Sequence, residues 1–214
     1  MKKVLIVGHL GYIGPIVTYQ LKKKYYICGV DTHWFKTKVN KNLFKRKYEP
    51  HKSIIKDLRN FNFKDLSFVP DAVIYLAAIS NDPMGSEFKK VTHEINTKYC
   101  LKIAKDAKKI GVKKFIFASS CSIYGAAGNS KKKETHKIQP LTDYAKSKVS
   151  SEKKLKKIAN KNFQVISLRF ATAAGYSPKL RLDLVFNDFV VNSVKKKRNT
   201  HIKQWRAMET FNSC

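Results

Sequence analysis

Short apolar segments and longer amphipathic segments alternate along this chain of 214 residues. The run from Val4 to Val7 is fully apolar and β-branched in part, which is typical of a strand buried on both faces of a sheet. Glycines follow, and the stretch 16–24 then has apolar residues at helical spacing. Five further strands are predicted in YYICGV ending at Asp31, SIIKD, DAVIYLAA, KKFIFASS and FQVISLRF.

Helical patterns separate these strands. They cover residues 88–110 and 142–159. A regular alternation of strand and helix indicates an α/β protein of the Rossmann type, with a doubly wound parallel sheet and helices on both faces. Such sheets bind ligands beyond the carboxyl ends of their strands, so the residues that follow each strand are the candidates for function.

Composition and charge narrow the class of protein. A hydrophobic content of 43% with 12% aromatic residues is typical of a globular domain. The net charge of +29 comes mostly from Lys spread along the whole chain, which favours a solvated surface over specific nucleic-acid binding. No apolar run is long enough to cross a membrane, and the apolar run at the start is too short for a signal peptide. The cysteines are scattered, without metal-ligand spacing, so we expect a cytoplasmic protein with reduced thiols and no metal site.

The first strand ends in a glycine loop, Gly8-His9-Leu10-Gly11-Tyr12-Ile13-Gly14. Three glycines at this spacing let backbone amides and a helix N-terminus approach a pyrophosphate closely. Asp31 ends the second strand, where a carboxylate accepts hydrogen bonds from an adenosine ribose and repels a 2′-phosphate. The combination predicts a dinucleotide site that favours NAD over NADP.

Tyr144 and Lys148 lie four residues apart in YAKSK, so they share one face of the helix predicted over 142–159. The Lys148 ammonium would depress the pKa of the Tyr144 phenol. A tyrosinate formed near neutral pH is able to take a proton from a substrate hydroxyl while hydride leaves the adjacent carbon for a nicotinamide.

These motifs together resemble those of the extended short-chain dehydrogenases/reductases, in particular the NAD-dependent nucleotide-sugar epimerase/dehydratase family with members similar to UDP-glucose 4-epimerase. The matching stretches, which follow the order of the family and cover Met1 to about Asn192, are VGHLGYIG, KDLRN, YLAAISNDP, HEINT, FASSCSIYG, YAKSK and SLRFATAAG.

The resemblance implies a role for several residues. Ser120, Tyr144 and Lys148 would be catalytic, and Ser120, Tyr144 and Thr172 would contact a nucleotide-sugar substrate. Ser119 is the neighbour most easily confused with Ser120. The residues implied to bind NAD are Gly8, Gly11, Tyr12, Ile13, Gly14, Asp31, Asp57, Leu58, Leu76, Ala77, Ala78, Asn96, Lys148 and Ala171.

Two departures from the family pattern narrow the reaction. The 4,6-dehydratases of the family have an Asp-Glu pair after the catalytic hydroxyl, whereas this chain has Cys121-Ser122 there. Dehydration is therefore disfavoured, because both proton transfers would lack a carrier. His9 is uncommon in the glycine loop, and we expect a solvent-facing loop histidine in preference to one that tunes diphosphate binding. Cys121 is either a reactive thiol beside the site or a buried inert one.

Three functions remain open from the sequence. The first is an NAD-dependent 4-epimerase of a nucleotide-activated sugar, which oxidises C4 transiently. The second is a one-way NAD(P)-dependent dehydrogenase or reductase of a nucleotide-deoxysugar, which Asp31 disfavours because biosynthetic reductases commonly draw on NADPH. The third is an NAD-binding remnant without catalysis.

The domain prediction follows from the same resemblance. Residues 1–175 would form the NAD-binding domain, and 176–200 would begin a smaller substrate-binding domain that in the family continues for roughly a hundred residues more. The resemblance also implies a helix around Phe186 to Val194 that packs on the cofactor domain. A homodimer is implied through the helices at 88–110 and 142–159. The absence of most of the substrate-binding part raises the possibility that the chain is inactive.

The segment 201–214 fits no element of the family. Read one base later, its codons must give Gly at Trp205-Arg206 and Trp at Met208-Glu209, in the places where the family has them. We therefore interpret this segment as an aberrant tail produced by a one-base frameshift near residues 199–203, with no function of its own.

Overall fold

A computed structural model describes residues 1–34, 46–80, 82–126 and 131–196. Within them, six parallel strands form one sheet in the order β3-β2-β1-β4-β5-β6, so the chain starts in the middle and builds outward in both directions. The strands are β1 (Lys3–Val7), β2 (Tyr26–Asp31), β3 (Lys52–Ile55), β4 (Ala72–Tyr75), β5 (Lys114–Ser120) and β6 (Gln164–Phe170). This order is that of a Rossmann sheet, and the predicted doubly wound α/β fold is confirmed.

Helices connect the strands and cover both faces of the sheet. They are α1 (Gly14–Leu21), α2 (Asp82–Glu87), α3 (Lys89–His93), α4 (Cys100–Lys109), α5 (Asp143–Ile158) and α6 (Val185–Lys196). The helix predicted over 88–110 is continuous but not uniform, since a π-helical segment, Glu94–Tyr99, joins α3 to α4. Such π segments are frequent at functional sites, and this one contains Asn96.

The core lies on the two faces of the central strands. Alternate side chains of β1, such as Leu5 and Val7, face a large cluster that includes residues of α4 and α5. The intervening Val4 and Ile6 face a smaller cluster against α1. This alternation explains why the central strands are apolar at every position.

The last strand differs from the central ones. Ile166, Leu168 and Phe170 of β6 form an outward-facing apolar row, each about two-fifths exposed among the described residues. Helix α6 occupies the place predicted from the sequence. Residues 197–200 of the predicted second domain and the tail 201–214 lie outside the described residues. Among the helices that are described, none has the length and apolar character needed to span a bilayer.

Candidate active site

The glycine loop between β1 and α1 fits tightly against neighbouring backbone. Gly8 has a φ of 90°, and a Cβ atom there would lie 2.6 Å from the backbone nitrogen of Ala77. A Cβ atom on Gly14 would lie 2.4 Å from the carbonyl oxygen of His9. Both positions therefore require glycine, because any side chain would push the loop away from β4 or from the first turn of α1.

The N-terminus of α1 is suited to receive an anion. No side chain caps its first turn among the described residues, and that turn contains no acidic residue. Ile13 stands at the N-cap, and Pro15 lies at the start of the helix, where a missing N–H costs nothing. The helix dipole and the first-turn amides thus favour a phosphate group at this point.

Asp31 links the glycine loop to the end of β2. Its Oδ2 atom accepts a hydrogen bond of 3.0 Å from the backbone N–H of Leu10. Its Oδ1 atom accepts one of 2.9 Å from the backbone N–H of His33, which has a φ of 58°. The carboxylate is partly exposed, so it holds two backbone turns and still faces the edge at which a ribose would lie.

The residues after β3 separate into a surface group and a core group. Arg59 forks onto the carboxylate of Asp57, with its closest contact at 2.8 Å, and this hydrogen bonding lowers the pKa of Asp57. The Arg59 guanidinium also lies 5.5 Å from the ring centroid of Trp34, a contact that the sequence analysis missed. Leu58, by contrast, has its side chain in the main core.

The end of β4 is held by backbone and by Asn96. The N–H groups of Leu76 and Ala77 both donate to the carbonyl of Val7, at 2.8 and 3.0 Å. Asn96 is buried in the π-helical segment and exchanges two hydrogen bonds with the backbone of Ile79, at 2.9 and 3.0 Å. It thereby fixes the strand end that contains Ala78, as the interpretation of Asn96 as a steadying residue requires.

Asn96 also joins this strand end to the helix that carries the predicted catalytic pair. Its amide nitrogen donates to the hydroxyl of Ser147 on α5 at 3.1 Å. Ser151, one turn later, donates to the carbonyl of Asn96 at 2.7 Å. A sequence pattern of serines on α5 could have indicated this contact, because Ser147 and Ser151 are four residues apart.

Tyr144 and Lys148 lie on the inner face of α5, near the end of β5. Lys148 is 2% exposed and donates a hydrogen bond of 2.7 Å to the carbonyl of Ala118. Its Nζ atom lies 5.3 Å from the ring centroid of Tyr144 and 4.8 Å from that of Phe117. Burial lowers the pKa of Lys148 to about 8, so its charge is retained at neutral pH but is poised to be lost above it.

The two serines at the end of β5 have different partners. Ser120 caps a short turn, and its hydroxyl oxygen accepts from the N–H of Ser122 at 3.2 Å and contacts the Ser122 hydroxyl at 2.9 Å. Ser119 is buried and donates instead to the carboxylate of Glu152. The Ser119 hydroxyl is thus bound to α5, whereas the Ser120 hydroxyl lies in the turn that follows β5.

Glu152, the partner of Ser119, also takes part in an ion pair that was not predicted from the sequence. Arg169 of β6 contacts both carboxylate oxygens of Glu152, at 3.1 and 2.8 Å, and donates to the hydroxyl of Tyr124 at 2.7 Å. The Glu152 carboxylate raises the pKa of Arg169 above its usual value. No local sequence pattern indicates this ion pair, because Glu152 and Arg169 lie on different elements, α5 and β6.

The residues after β6 approach the glycine loop. The hydroxyl of Tyr12 donates to the carbonyl of Gly175 at 2.6 Å, and the buried Asn187 donates to the same hydroxyl at 3.1 Å. Ser177 donates to the carbonyl of Tyr12 at 2.7 Å. Ala171 and Thr172 directly follow β6, and both are exposed.

The expectation for His9 is wrong. Its side chain is 1% exposed and lies beneath the loop instead of facing solvent, because Gly29 on β2 leaves room for the ring. Burial lowers its pKa. Cys121 is a free cysteine and is partly buried. Within the described residues, no group of three His, Cys, Asp or Glu side chains is placed to bind a metal ion.

The chain belongs to the NAD dependent epimerase/dehydratase family, whose model matches residues 4–209. It is 27% identical over 205 residues to an uncharacterized UDP-glucose epimerase, YtcB, of Bacillus subtilis, a match that covers 91% of this chain and 63% of the relative. The family identification made from the sequence is thereby confirmed.

Solved structures agree on the fold. The UDP-glucuronic acid 4-epimerase of Bacillus cereus, in complex with UDP-glucuronic acid and NAD, is 25% identical, with a TM-score of 0.73 over 90% of this chain and 63% of that one. The NDP-hexosamine 5,6-dehydratase TunA, involved in tunicamycin biosynthesis, has a TM-score of 0.78 at 21% identity, covering 92% of this chain and 62% of TunA. This chain therefore spans a little under two thirds of the length of these relatives.

Proposed function

We propose that this chain is an NAD-dependent 4-epimerase of a nucleotide-activated sugar. The observation that carries the proposal is the placement of Lys148, buried against the end of β5 and 5.3 Å from the ring centroid of Tyr144. The glycine loop and Asp31 lie at the same edge of the sheet, where β1 and β2 end.

The residues at this edge fit NAD. The close packing at Gly8 and Gly14 and the uncapped first turn of α1 leave backbone amides for a diphosphate. Asp31 is placed to accept hydrogen bonds from the adenosine ribose, and its negative charge would repel a 2′-phosphate. Asp57, Leu58, Leu76, Ala77, Ala78, Asn96, Lys148 and Ala171 complete the proposed cofactor-binding set.

The acid–base chemistry falls to Tyr144. As a tyrosinate it would take the proton of the sugar 4-hydroxyl, and it would return that proton when the keto group is reduced. The Lys148 ammonium favours the tyrosinate electrostatically, and the Ser120 hydroxyl would hydrogen-bond the reacting oxygen. NAD, when bound at this edge, would supply the hydride acceptor and donor that C4 epimerisation requires.

Epimerisation is favoured over dehydration by the residues that follow Ser120. Cys121 and Ser122 form a short turn at the place where an elimination would need an acid and a base. The neighbouring carboxylate, Glu152, is engaged by Arg169. Thr172, which is exposed after β6, would contact the sugar.

The test is to incubate the purified chain with UDP-glucose, the sugar nucleotide that the relatives' names suggest, without added cofactor. Proton NMR then follows the appearance of the C4 epimer. Conversion with retained NAD supports the epimerase, and Tyr144→Phe is expected to abolish it while still binding NAD. Oxidation of UDP-glucose that consumes added NAD in equal amount would instead indicate a one-way dehydrogenase, and reduction of a nucleotide-linked keto-deoxysugar by added NAD(P)H would indicate the reductase. NAD binding without conversion of any nucleotide sugar would indicate a non-catalytic NAD-binding protein.

We also propose a cytoplasmic location and a homodimer that forms through the helices at 88–110 and 142–159. In the structure these helices pack against each other, with Lys89 and Asp143 3.7 Å apart. Light scattering at several protein concentrations tests the dimer, and a mass of 24.6 kDa throughout would contradict it.

A further inference from the structure

His9 takes no part in the proposed chemistry, yet it is among the most deeply buried side chains of the described residues. Its ring lies directly on the backbone of Gly29 in β2. A Cβ atom added to Gly29 would lie 2.3 Å from the Cγ atom of His9 and 2.6 Å from its Nδ1 atom. The ring therefore occupies the space that any side chain at position 29 would need.

The far side of the ring is held by β3. The His9 Nε2 atom lies 2.8 Å from the hydroxyl oxygen of Ser53, within hydrogen-bonding distance. Gly29 and Ser53 are register partners in the parallel pairing of β2 with β3. The side chain of His9 thus reaches from the glycine loop across two adjacent strands.

The backbone of His9 is fixed on its other side by α1. A Cβ atom on Gly14 would lie 2.4 Å from the carbonyl oxygen of His9 and 2.5 Å from its carbonyl carbon. His9 is therefore packed between the first turn of α1 and the strands β2 and β3. A shift of its ring would move the turn whose amides face the diphosphate site.

Stability alone does not explain a histidine here. The Nδ1 atom is buried without a well-aligned hydrogen bond among the described residues, although the backbone of Val30 lies close enough to raise the pKa of the ring against the effect of burial. A buried polar atom with poor hydrogen bonding is costly. An apolar side chain of similar size would avoid that cost.

We propose that His9 is a positioning residue for the cofactor diphosphate. Its ring, resting on Gly29 and bound to Ser53, sets the position of the first turn of α1 relative to the sheet. The proposal rests on the proposed binding of NAD by this chain. It implies that His9 and Gly29 are coupled, so that glycine is required at position 29 only while the histidine ring is present.

The test is a double-mutant cycle on NAD affinity, measured by calorimetry with the whole chain. Gly29→Ala is expected to raise the Kd for NAD by at least about 30-fold, because the overpacked ring must move the loop. His9→Ala is expected to raise it about tenfold. In the His9→Ala background, Gly29→Ala should change the Kd by less than about threefold, since its clash is gone.

Gly111→Ala is the matched control. Gly111 has a φ of 92° and open space around its Cβ position. It lies in the turn before β5, at the amino ends of the strands and so away from the proposed NAD site. The substitution should lower the Tm and leave the Kd for NAD within about twofold.

Two results would overturn the proposal. The first is that Gly29→Ala and His9→Ala change the Kd for NAD no more than Gly111→Ala does, when variants with the same loss of Tm are compared. The second is that the fold-change in Kd of the double variant equals the product of the fold-changes of the two single variants. If Gly29→Ala does not fold, Ser53→Ala is compared with the Gly111→Ala control instead. Ser53→Ala is expected to weaken NAD affinity about fivefold. A wild-type chain that binds no NAD contradicts the proposed function, and this inference falls with it.

Discussion

The two sides of the proposed site are built differently. On the cofactor side, the loop after β1 is packed so closely that Gly8 and Gly14 admit no side chain, and Asp31 is tied to the loop backbone. On the sugar side, Thr172 is exposed after β6, and Tyr176 is 60% exposed. Within the described residues, the cofactor side is preorganised and the sugar side is open.

This difference suggests where function is fixed. A preorganised loop binds its ligand without further ordering, so affinity for the cofactor should be a property of residues 1–175. An open surface must be ordered or covered on binding, so recognition of the sugar is expected to be weaker and to depend more on the substrate. The hydrogen bonds from Tyr12 to Gly175 and from Ser177 to Tyr12 are the structural link between the two sides.

The largest expected effect that separates the two sides is a loss of turnover in Tyr144→Phe without a loss of NAD affinity. Removing the phenol hydroxyl takes away the only proposed proton carrier at C4, so turnover should fall by about a thousandfold or more. NAD affinity should change by less than about threefold, since the cofactor side is untouched. Single-turnover NMR and calorimetry measure the two quantities. Tyr25→Phe, in the turn before β2 at the amino ends of the strands, is the matched control, and equal losses in both variants would contradict the role of Tyr144.

The next effect concerns the ion pair beneath the catalytic helix. Glu152→Gln leaves the partly buried Arg169 without its counter-charge and should lower the free energy of unfolding by about 2 kcal/mol. Asp106→Asn, which breaks the exposed Lys102–Asp106 pair, should cost less than about 0.5 kcal/mol. Urea unfolding measures both. Similar losses would show that the Glu152–Arg169 pair does not support the site.

A pH dependence is expected from Lys148. Its pKa is lowered by burial from 10.5 to about 8, so between these values the folded chain binds fewer protons than the unfolded chain. The contribution of Lys148 to the free energy of unfolding therefore rises with pH across this window. Comparison with Lys148→Met isolates it, and the wild type should gain stability relative to the variant from about pH 8 upward. A difference that is independent of pH would mean that the buried ammonium is not perturbed.

The smallest effect is expected at the link between the two sides. Ser177→Ala removes the hydrogen bond to the carbonyl of Tyr12, which is worth about 1 kcal/mol. NAD affinity should therefore weaken by up to about fivefold. Leu180→Ala, three residues further on and with an exposed side chain, is the control for a general disturbance of this segment. Loss of all NAD binding in Ser177→Ala would show that the cofactor side is not preorganised by itself.

Much of this architecture follows from local patterns. The apolar strands and helical periods predicted the fold, and the residues after β1, β2 and β5 predicted the glycine loop, Asp31 and Ser120 as candidates. These features are local in the sequence, because a strand end and the residue after it are neighbours along the chain. Whether each candidate site residue acts as implied remains a prediction.

The missed features depend on contacts between distant residues. The burial of His9 needs Gly29 and Ser53, which lie 20 and 44 positions further along the chain. The partnership of Glu152 with Arg169 needs α5 to lie against β6. A loop histidine and a surface-like charge pair have no periodic signature, so only the packed structure identifies them.

The central claim is that the cofactor side is complete and selects NAD. Its most direct test is a calorimetric titration of the purified chain, freed of bound nucleotide, with NAD and then with NADP. We predict binding of one NAD per chain, with NADP at least about tenfold weaker, and loss of that preference in Asp31→Asn. An absence of NAD binding, or a preference for NADP, would contradict the account.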